Sequence, residues 1–343
     1  MDAVLPATTS KPKASLALGL VALAAATFAI GLLSLTVGAR TTPIETVWAA
    51  LTAFDPNSTD HRIIWELRVP RTLIGLTVGA ALGLSGAVLQ GATRNPLADP
   101  SILGIHAGAA VAVVLGVFVF GLTQLSQYVW LAFIGAGLTM LFVYAVAAIG
   151  RDGATPVKLD LAGAAVSAAL MSIISAILLT SPNTLDQIRF WQVGSLAGRE
   201  ISVFFQVAPF LLVGTVMALA CGRILDGLAL GEDVARALGQ KVARARAMAG
   251  LAAVVLAGAA TAAAGPIAFV GLTVPHMARA ITGPSYRWIL PYSMLLAPIL
   301  LLGSDILGRI IAPPGEIQVG IVTAALGAPV FIALVRRKKL AAI

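Results

Sequence analysis

At 343 residues, 59% of them hydrophobic and 11% charged, with a mean hydropathy of +0.95, the chain carries more apolar surface than a soluble core could bury. The formal net charge of +8 does not imply nucleic-acid binding, because the Lys and Arg residues are dispersed among connecting segments and form no single basic face. With Cys221 as the one cysteine, neither a disulfide framework nor a thiolate metal site is available.

Polar or proline-containing breaks divide the chain into ten apolar stretches, each expected to be a membrane-spanning helix. The first, residues 16–38, follows Lys11 and Lys13 and is too long for the apolar core of a secretory signal, so it is expected to be retained as a helix. Four more follow at 71–92, 101–120, 128–149 and 159–180 and form a first repeat, 71–180. Asn95-Pro96 and Pro100 bracket a sharp connection within it, since each proline lacks an amide donor and restricts the residue before it. A sixth helix, 203–222, leads into a basic loop, 223–246. The last four, 246–264, 267–282, 288–307 and 317–335, form a second repeat, 246–335. A shift of five spans reverses orientation, so the two sets are expected to be inverted-topology halves of a single all-α permease domain.

With the N-terminus inside, 16 of the 23 Lys and Arg fall on the inner side and both termini are cytoplasmic. All fifteen acidic residues, Asp305 and Glu316 among them, fall in loops or at the ends of spans, so no coupling-ion relay is expected in the hydrocarbon region. No lysine follows a glycine, so no phosphate-binding loop is present and the chain itself should not hydrolyse ATP. The three histidines, His61, His106 and His276, are scattered, which argues against a metal centre or a membrane-embedded enzyme; His276 beside Pro275 is expected to bond a backbone carbonyl. No catalytic residue, cofactor or resident metal is expected. An ion-coupled secondary transporter is the rival reading, and the missing intramembrane carboxylate weighs against it.

Within the basic loop, Leu230, Gly231, Glu232, Asp233, Val234, Ala235, Arg236, Ala237, Leu238 and Gly239 read as a short helix. Gly231 is its N-cap, acids occupy its first turn, Val234, Ala237 and Leu238 form an apolar stripe, and Gly239 is the stop. Spacing alone leaves two roles open, docking into a partner's groove or lying on lipid headgroups.

Several stretches together resemble one known family. They are Leu67-Arg68-Val69-Pro70-Arg71-Thr72, Ser85-Gly86-Ala87-Val88-Leu89-Gln90, Asn95-Pro96-Leu97-Ala98-Asp99-Pro100, Phe190-Trp191-Gln192-Val193-Gly194-Ser195-Leu196, Gly265-Pro266-Ile267-Ala268-Phe269-Val270-Gly271-Leu272 and Leu326-Gly327-Ala328-Pro329-Val330-Phe331. In order and spacing they resemble the FecCD-type permeases of ABC importers for iron-siderophores, haem and cobalamin. The resemblance implies a dimer with a second copy or a paralogous permease, a cytoplasmic ATPase dimer, and an external binding protein, all at a bacterial inner membrane. It implies that Arg68, Arg71 and Arg309 dock the binding protein and that Leu230 to Gly239 couples to the ATPase. It also makes Trp191, Gly194 and Ser195 gate candidates. His106 stands where the family tends to carry Asn or Ser, and is a further pathway candidate. Iron-siderophore is the expected cargo, with haem or cobalamin as the alternative.

One outcome follows from the missing phosphate loop. The purified chain should bind no ATP in an equilibrium assay, and hydrolysis should appear only when a separate ATPase subunit is added; tight nucleotide binding by the isolated chain would contradict this.

Overall fold

The computed structural model describes residues 12–38, 41–150, 154–313 and 315–336. Both chain ends, together with Lys11, Arg40, Arg151 and the basic stretch 337–339 counted in the topology, lie outside the described residues. Among the described residues all regular structure is helical: α1 (Lys13–Thr36), α2 (Ile44–Thr52), α3 (Thr59–Ile63), a π-helical turn (Ile64–Arg68), α4 (Val69–Thr93), α5 (Ile105–Phe120), α6 (Leu125–Ala147), α7 (Pro156–Thr180), α8 (Pro182–Gln192), α9 (Ile201–Ala220), α10 (Gly222–Ala229), α11 (Glu232–Ala237), α12 (Val242–Ala264), α13 (Val270–Thr282), α14 (Tyr286–Ile311) and α15 (Val319–Arg336).

Each of the ten expected stretches coincides with one of these helices. Seven are long and apolar enough to cross a membrane: α1, α4 with its lead-in, α6, α7, α9, α12 and α14. The α5 and α13 helices are shorter, at 16 and 13 residues, or about 24 and 20 Å at 1.5 Å per residue. The expected starts at 101 and 267 give way to starts at 105 and 270 for a local reason. Gly104 (φ 79°) and Phe269 (φ 68°) occupy left-handed backbone immediately before each helix, which an α-helix cannot continue through. Room for Phe269 comes from α15, where a Cβ on Gly327 would lie 2.5 Å from the Phe269 Cβ.

At the centre is α4, whose residues from Val78 to Thr93 are almost all buried against α9, α12, α13 and α14. Its glycines decide how closely these helices approach. A Cβ on Gly79 would lie 2.7 Å from the Pro298 Cα, one on Gly83 would lie 2.5 Å from the Ser293 carbonyl oxygen, and one on Gly86 would overlap the Gly271 carbonyl. Small residues allow such contacts in lipid, where helix association depends on dispersion and on interhelical hydrogen bonds. Two side chains of α4 make such bonds: Ser85 Oγ donates to Ala253 O of α12 at 3.0 Å, and Gln90 Nε2 donates to Leu272 O of α13 at 3.2 Å. Gln90 also reaches Gly271 O at 3.4 Å, the acceptor that Pro275 cannot serve because it lacks an amide proton. The periphery is apolar and exposed, as at Leu18 and Phe28 on α1, Leu161 and Leu179 on α7, and Leu212 and Val216 on α9. Such an exterior requires lipid as its solvent. Cys221 is buried and free, as expected.

Overpacking at this central contact should be costly. Gly86→Leu should lower the thermal midpoint of the detergent-solubilised chain by several degrees, corresponding to about 3 kcal/mol or more. Gly250→Leu, at a position with open space around it, should leave the midpoint within about a degree of wild type.

Candidate functional site

The structure brings the motif residues together in three places, here named by the expected topology. The outer end carries α2, α3 and α8, and the inner end carries α10 and α11.

At the outer end a carboxylate holds two arginines, and a third lies beside them. Asp305, near the end of α14, has a side chain only 1% exposed. Arg71 in the first turn of α4 donates Nε and Nη2 to it at 3.0 and 2.7 Å and sends Nη1 to Glu316 at 2.7 Å. Arg309, one turn beyond Asp305, donates Nε to the same carboxylate at 3.0 Å. Its Nη1 reaches the Ser34 and Val37 carbonyls at 2.9 and 2.7 Å, and Nη2 reaches Ser34 Oγ at 2.9 Å. Arg68 Nη1 takes the neighbouring Leu35 and Thr36 carbonyls at 2.6 and 2.8 Å. The last carbonyls of α1 have no acceptor role within their own helix, and two guanidiniums satisfy them while placing positive charge at the negative end of the helix.

The three arginines named as docking residues do gather at this end, but they do not stand free at a water-exposed rim. The Arg71 and Arg309 side chains are 14% and 4% exposed, Arg68 is buried, and their carboxylate partners include the chain's own Asp305 and Glu316.

The connection from α8 to α9 is equally internal. Trp191 is buried, edge-on to Tyr128 with ring centroids 6.2 Å apart, and its Nε1 donates to Ala262 O at 3.4 Å. Its indole fills packing space between α6 and α12. Gly194, at φ 83°, accepts from Gly320 N at 3.0 Å, and Ser195 N donates to Ala264 O at 2.8 Å, so the loop is bonded to the ends of α15 and α12. Beside it lies Arg199, a residue that sequence reading passed over as one more loop cation. It is buried, donates Nε to Ser195 O at 3.0 Å, and burial pushes its guanidinium down to about 10.

At the inner end the connection 94–104 is held from two sides. Asn95 Nδ2 donates to Asp160 Oδ2 of α7 at 2.6 Å, and His276 Nε2 of α13 bonds the Pro96 carbonyl at 2.8 Å, the backbone partner expected for it. His106 is buried in the first turn of α5, and its Nε2 has no hydrogen-bond partner. Among the described residues no group of three or more His, Cys, Asp or Glu could hold a metal.

Leu230 to Gly239 forms the short helix α11. Gly231 (φ 109°) precedes it, and Gly239 (φ 82°) ends it in a Schellman motif, with Gln240 N on Ala235 O and Gly239 N on Arg236 O, both at 2.9 Å. Glu232 binds Arg236 on its own turn and Arg246 at the start of α12, and Arg246 Nε reaches Ala92 O at the end of α4. Ala235 faces inward and is fully buried, while Leu230, Val234 and Leu238 stand 64%, 45% and 64% exposed. The apolar stripe therefore starts one turn earlier than expected, with Ala237 on its exposed margin.

The FecCD transport family model matches residues 26–337. The chain belongs to the FecCD transport family. It is 45% identical over 306 residues to the ferric enterobactin transport system permease protein of Escherichia coli (strain K12), covering 89% of this chain and 91% of that protein. It is 40% identical over 308 residues to the iron(3+)-hydroxamate import system permease protein of Bacillus subtilis (strain 168), with coverage of 90% and 80%. A cobalamin import system permease of Halobacterium salinarum is 35% identical over 297 residues, covering 86% and 79%. Among solved structures, an inward-facing metal-chelate type ABC transporter superposes with a TM-score of 0.81 at 29% identity, over 93% of this chain and 98% of that one.

In this FecCD chain the two acids of the outer cluster were the residues sequence reading undervalued. The signal present was the Asp305–Arg309 spacing of one helical turn. Nothing local pointed to Arg71, 234 residues away. Removing the central carboxylate should be severe, because it leaves two buried guanidiniums without their shared partner. Asp305→Asn should cost on the order of 3 to 5 kcal/mol in unfolding measurements, against about 1 kcal/mol for Glu316→Gln, whose side chain is 29% exposed.

Proposed function

We propose that this FecCD-family chain is the permease subunit of an ATP-driven importer and carries a ferric siderophore inward across a bacterial inner membrane. The observation that carries this reading is the stripe of Leu230, Val234 and Leu238 left exposed along α11 and its lead-in, on a helix that Gly239 closes and that Glu232 ties to Arg246 of α12. A helix fixed this firmly to α12 and α4 transmits a push on its exposed face to the spans themselves. A cytoplasmic ATPase dimer would hold that face, with a second permease copy or a paralogue completing the pathway. The cargo reading rests on the relatives, whose names include ferric enterobactin and iron-hydroxamate permeases; haem or cobalamin is the alternative.

In this reading ten helices span the membrane, with both termini cytoplasmic, and α4–α7 and α12–α15 are inverted halves. Two features support the pairing of halves. The lead helices α4 and α12 pack face to face, and the second helix of each set is the short one, preceded in both cases by left-handed backbone. An external binding protein would dock at the outer end, where an incoming carboxylate would take Arg71 Nη1 from Glu316, the more exposed of its two acids. Arg68 and Arg309 would keep the α1 end in place beneath that contact. Gly194 and Ser195, in a loop tied to helix ends, and His106, in the first turn of α5, would move with the gates.

The test is ATP-driven uptake of radiolabelled ferric siderophore into proteoliposomes holding the chain, its ATPase and its binding protein. Leu238→Asp should reduce uptake at least about tenfold while the ATPase subunit still hydrolyses ATP. Normal uptake by this variant would remove the coupling role, and uptake driven by an ion gradient without ATP would remove the importer class.

A further inference from the structure

The junction of α9 and α10 meets the start of α14 in a cleft of about 360 Å³, whose lining includes no residue of the outer arginine cluster or of α11. Gly222 opens it: a Cβ there would lie 3.5 Å from both the Arg287 Cα and Leu290 Cδ1, so any longer side chain would enter the space. The floor and walls are apolar, from Leu219, Leu290 and Pro291, and two arginines, Arg223 and Arg287, stand at the mouth, both exposed.

These two charges lack a carboxylate for an identifiable reason. The nearest acid on the same helix is Asp226, three residues beyond Arg223, a spacing at which ion pairs form readily. Both its oxygens are committed elsewhere: Oδ1 accepts from Tyr286 N at 2.6 Å and Oδ2 from Ser285 Oγ at 3.1 Å, so it caps the N-terminus of α14. The next acids, Glu232 and Asp233, are paired with Arg236 and Arg246. No described ion pair involves Arg223 or Arg287. The cleft also lies where the apolar 20-residue α9 ends and the 26-residue α14 begins, the depth at which hydrocarbon gives way to headgroups. Trp288, half-buried beside Arg287, is of the type that settles at that depth.

We propose that this cleft binds an anionic phospholipid, its phosphate held between Arg223 and Arg287 and its first acyl carbons lying along Leu219, Leu290 and Pro291. Guanidinium groups match phosphate oxygens in a bidentate manner, and paired basic residues beside an apolar groove between helices recognise such headgroups. The inference rests on the membrane-spanning fold and is independent of cargo.

The experiment is native mass spectrometry of the full chain, delipidated in detergent and titrated with phosphatidylglycerol or phosphatidylcholine. Wild type should retain one phosphatidylglycerol per chain and bind phosphatidylcholine at least about tenfold more weakly. Arg223→Gln with Arg287→Gln should weaken phosphatidylglycerol binding about tenfold or more, and the double lysine exchange, which keeps the charge and loses the bidentate fork, should fall between that pair and wild type. Gly222→Leu, which fills the cleft and leaves both arginines in place, should lose the lipid as well. Equal retention of the two lipids by wild type would overturn the proposal without reference to any variant. So would undiminished phosphatidylglycerol binding in both the glutamine pair and the leucine variant. Displacement of the lipid by millimolar inorganic phosphate would assign the site to the free anion instead.

Discussion

Main chain packed directly against main chain along α4 is the constraint on which the rest of the bundle depends. Where Gly79, Gly83 and Gly86 face Pro298, Ser293 and Gly271, no side chain intervenes, so the axes of α4, α13 and α14 are fixed by backbone contact. In hydrocarbon there is no solvent to expel between helices, and many short dispersion contacts must supply the cohesion that a water-driven core would otherwise provide. The approach also makes the polar links possible. Ser85 and Gln90 are short or medium side chains, and they reach Ala253 and Leu272 only because the helices already touch. Gln90 in turn lets α13 carry Pro275 without leaving a carbonyl stranded in a dry interior.

Charge is placed with comparable economy at the ends of the spans. Asp305 and Glu316 compensate Arg71 and Arg309, and Arg68 joins the remaining donors of Arg309 on the α1 carbonyls, so one cluster balances its ion pairs and closes a helix end. A carboxylate gripped by two guanidiniums is poorly suited to loading and releasing a coupling ion. In the proposed reading, energy would reach the described helices through α11, which Glu232 and Arg246 tie to α12 and α4.

Much of this was legible in the sequence. Ten apolar runs gave ten helices, because length and hydropathy decide helix formation in a bilayer with little help from tertiary contacts. The α11 segment was legible because its determinants are local: two glycines, two acids and an apolar residue at each turn. The helix start at 270 was missed because the left-handed backbone before it belongs to Phe269, for which Gly327 of α15 makes room, whereas the start at 105 follows a left-handed Gly104. The state of the arginines was missed for the same kind of reason. A cation between an apolar run and a loop reads as exposed until its partner is known, and here Asp305 and Glu316 lie 234 and 245 residues from Arg71, and the Ser34 carbonyl 275 residues from Arg309. Trp191 likewise read as an interfacial or pathway ring because the carbonyl it bonds belongs to α12.

The π-helical turn Ile64–Arg68 carries a different kind of information. It spans one more residue per hydrogen-bonded ring than the α-helices on either side, and it joins α3 to α4 without a break. Its length sets the angle between them, since each residue turns a helix by about 100°. Deleting a single residue there would give a more regular helix by every local measure. It would also swing α3 about a quarter of a turn around the common axis, carry Ile64 away from Leu35, Val47 and Ala50, and open the small apolar cap over the end of α1. In this stretch the number of residues is constrained as tightly as the identity of Ile64 and Arg68, so insertions and deletions there should be purged over evolutionary time.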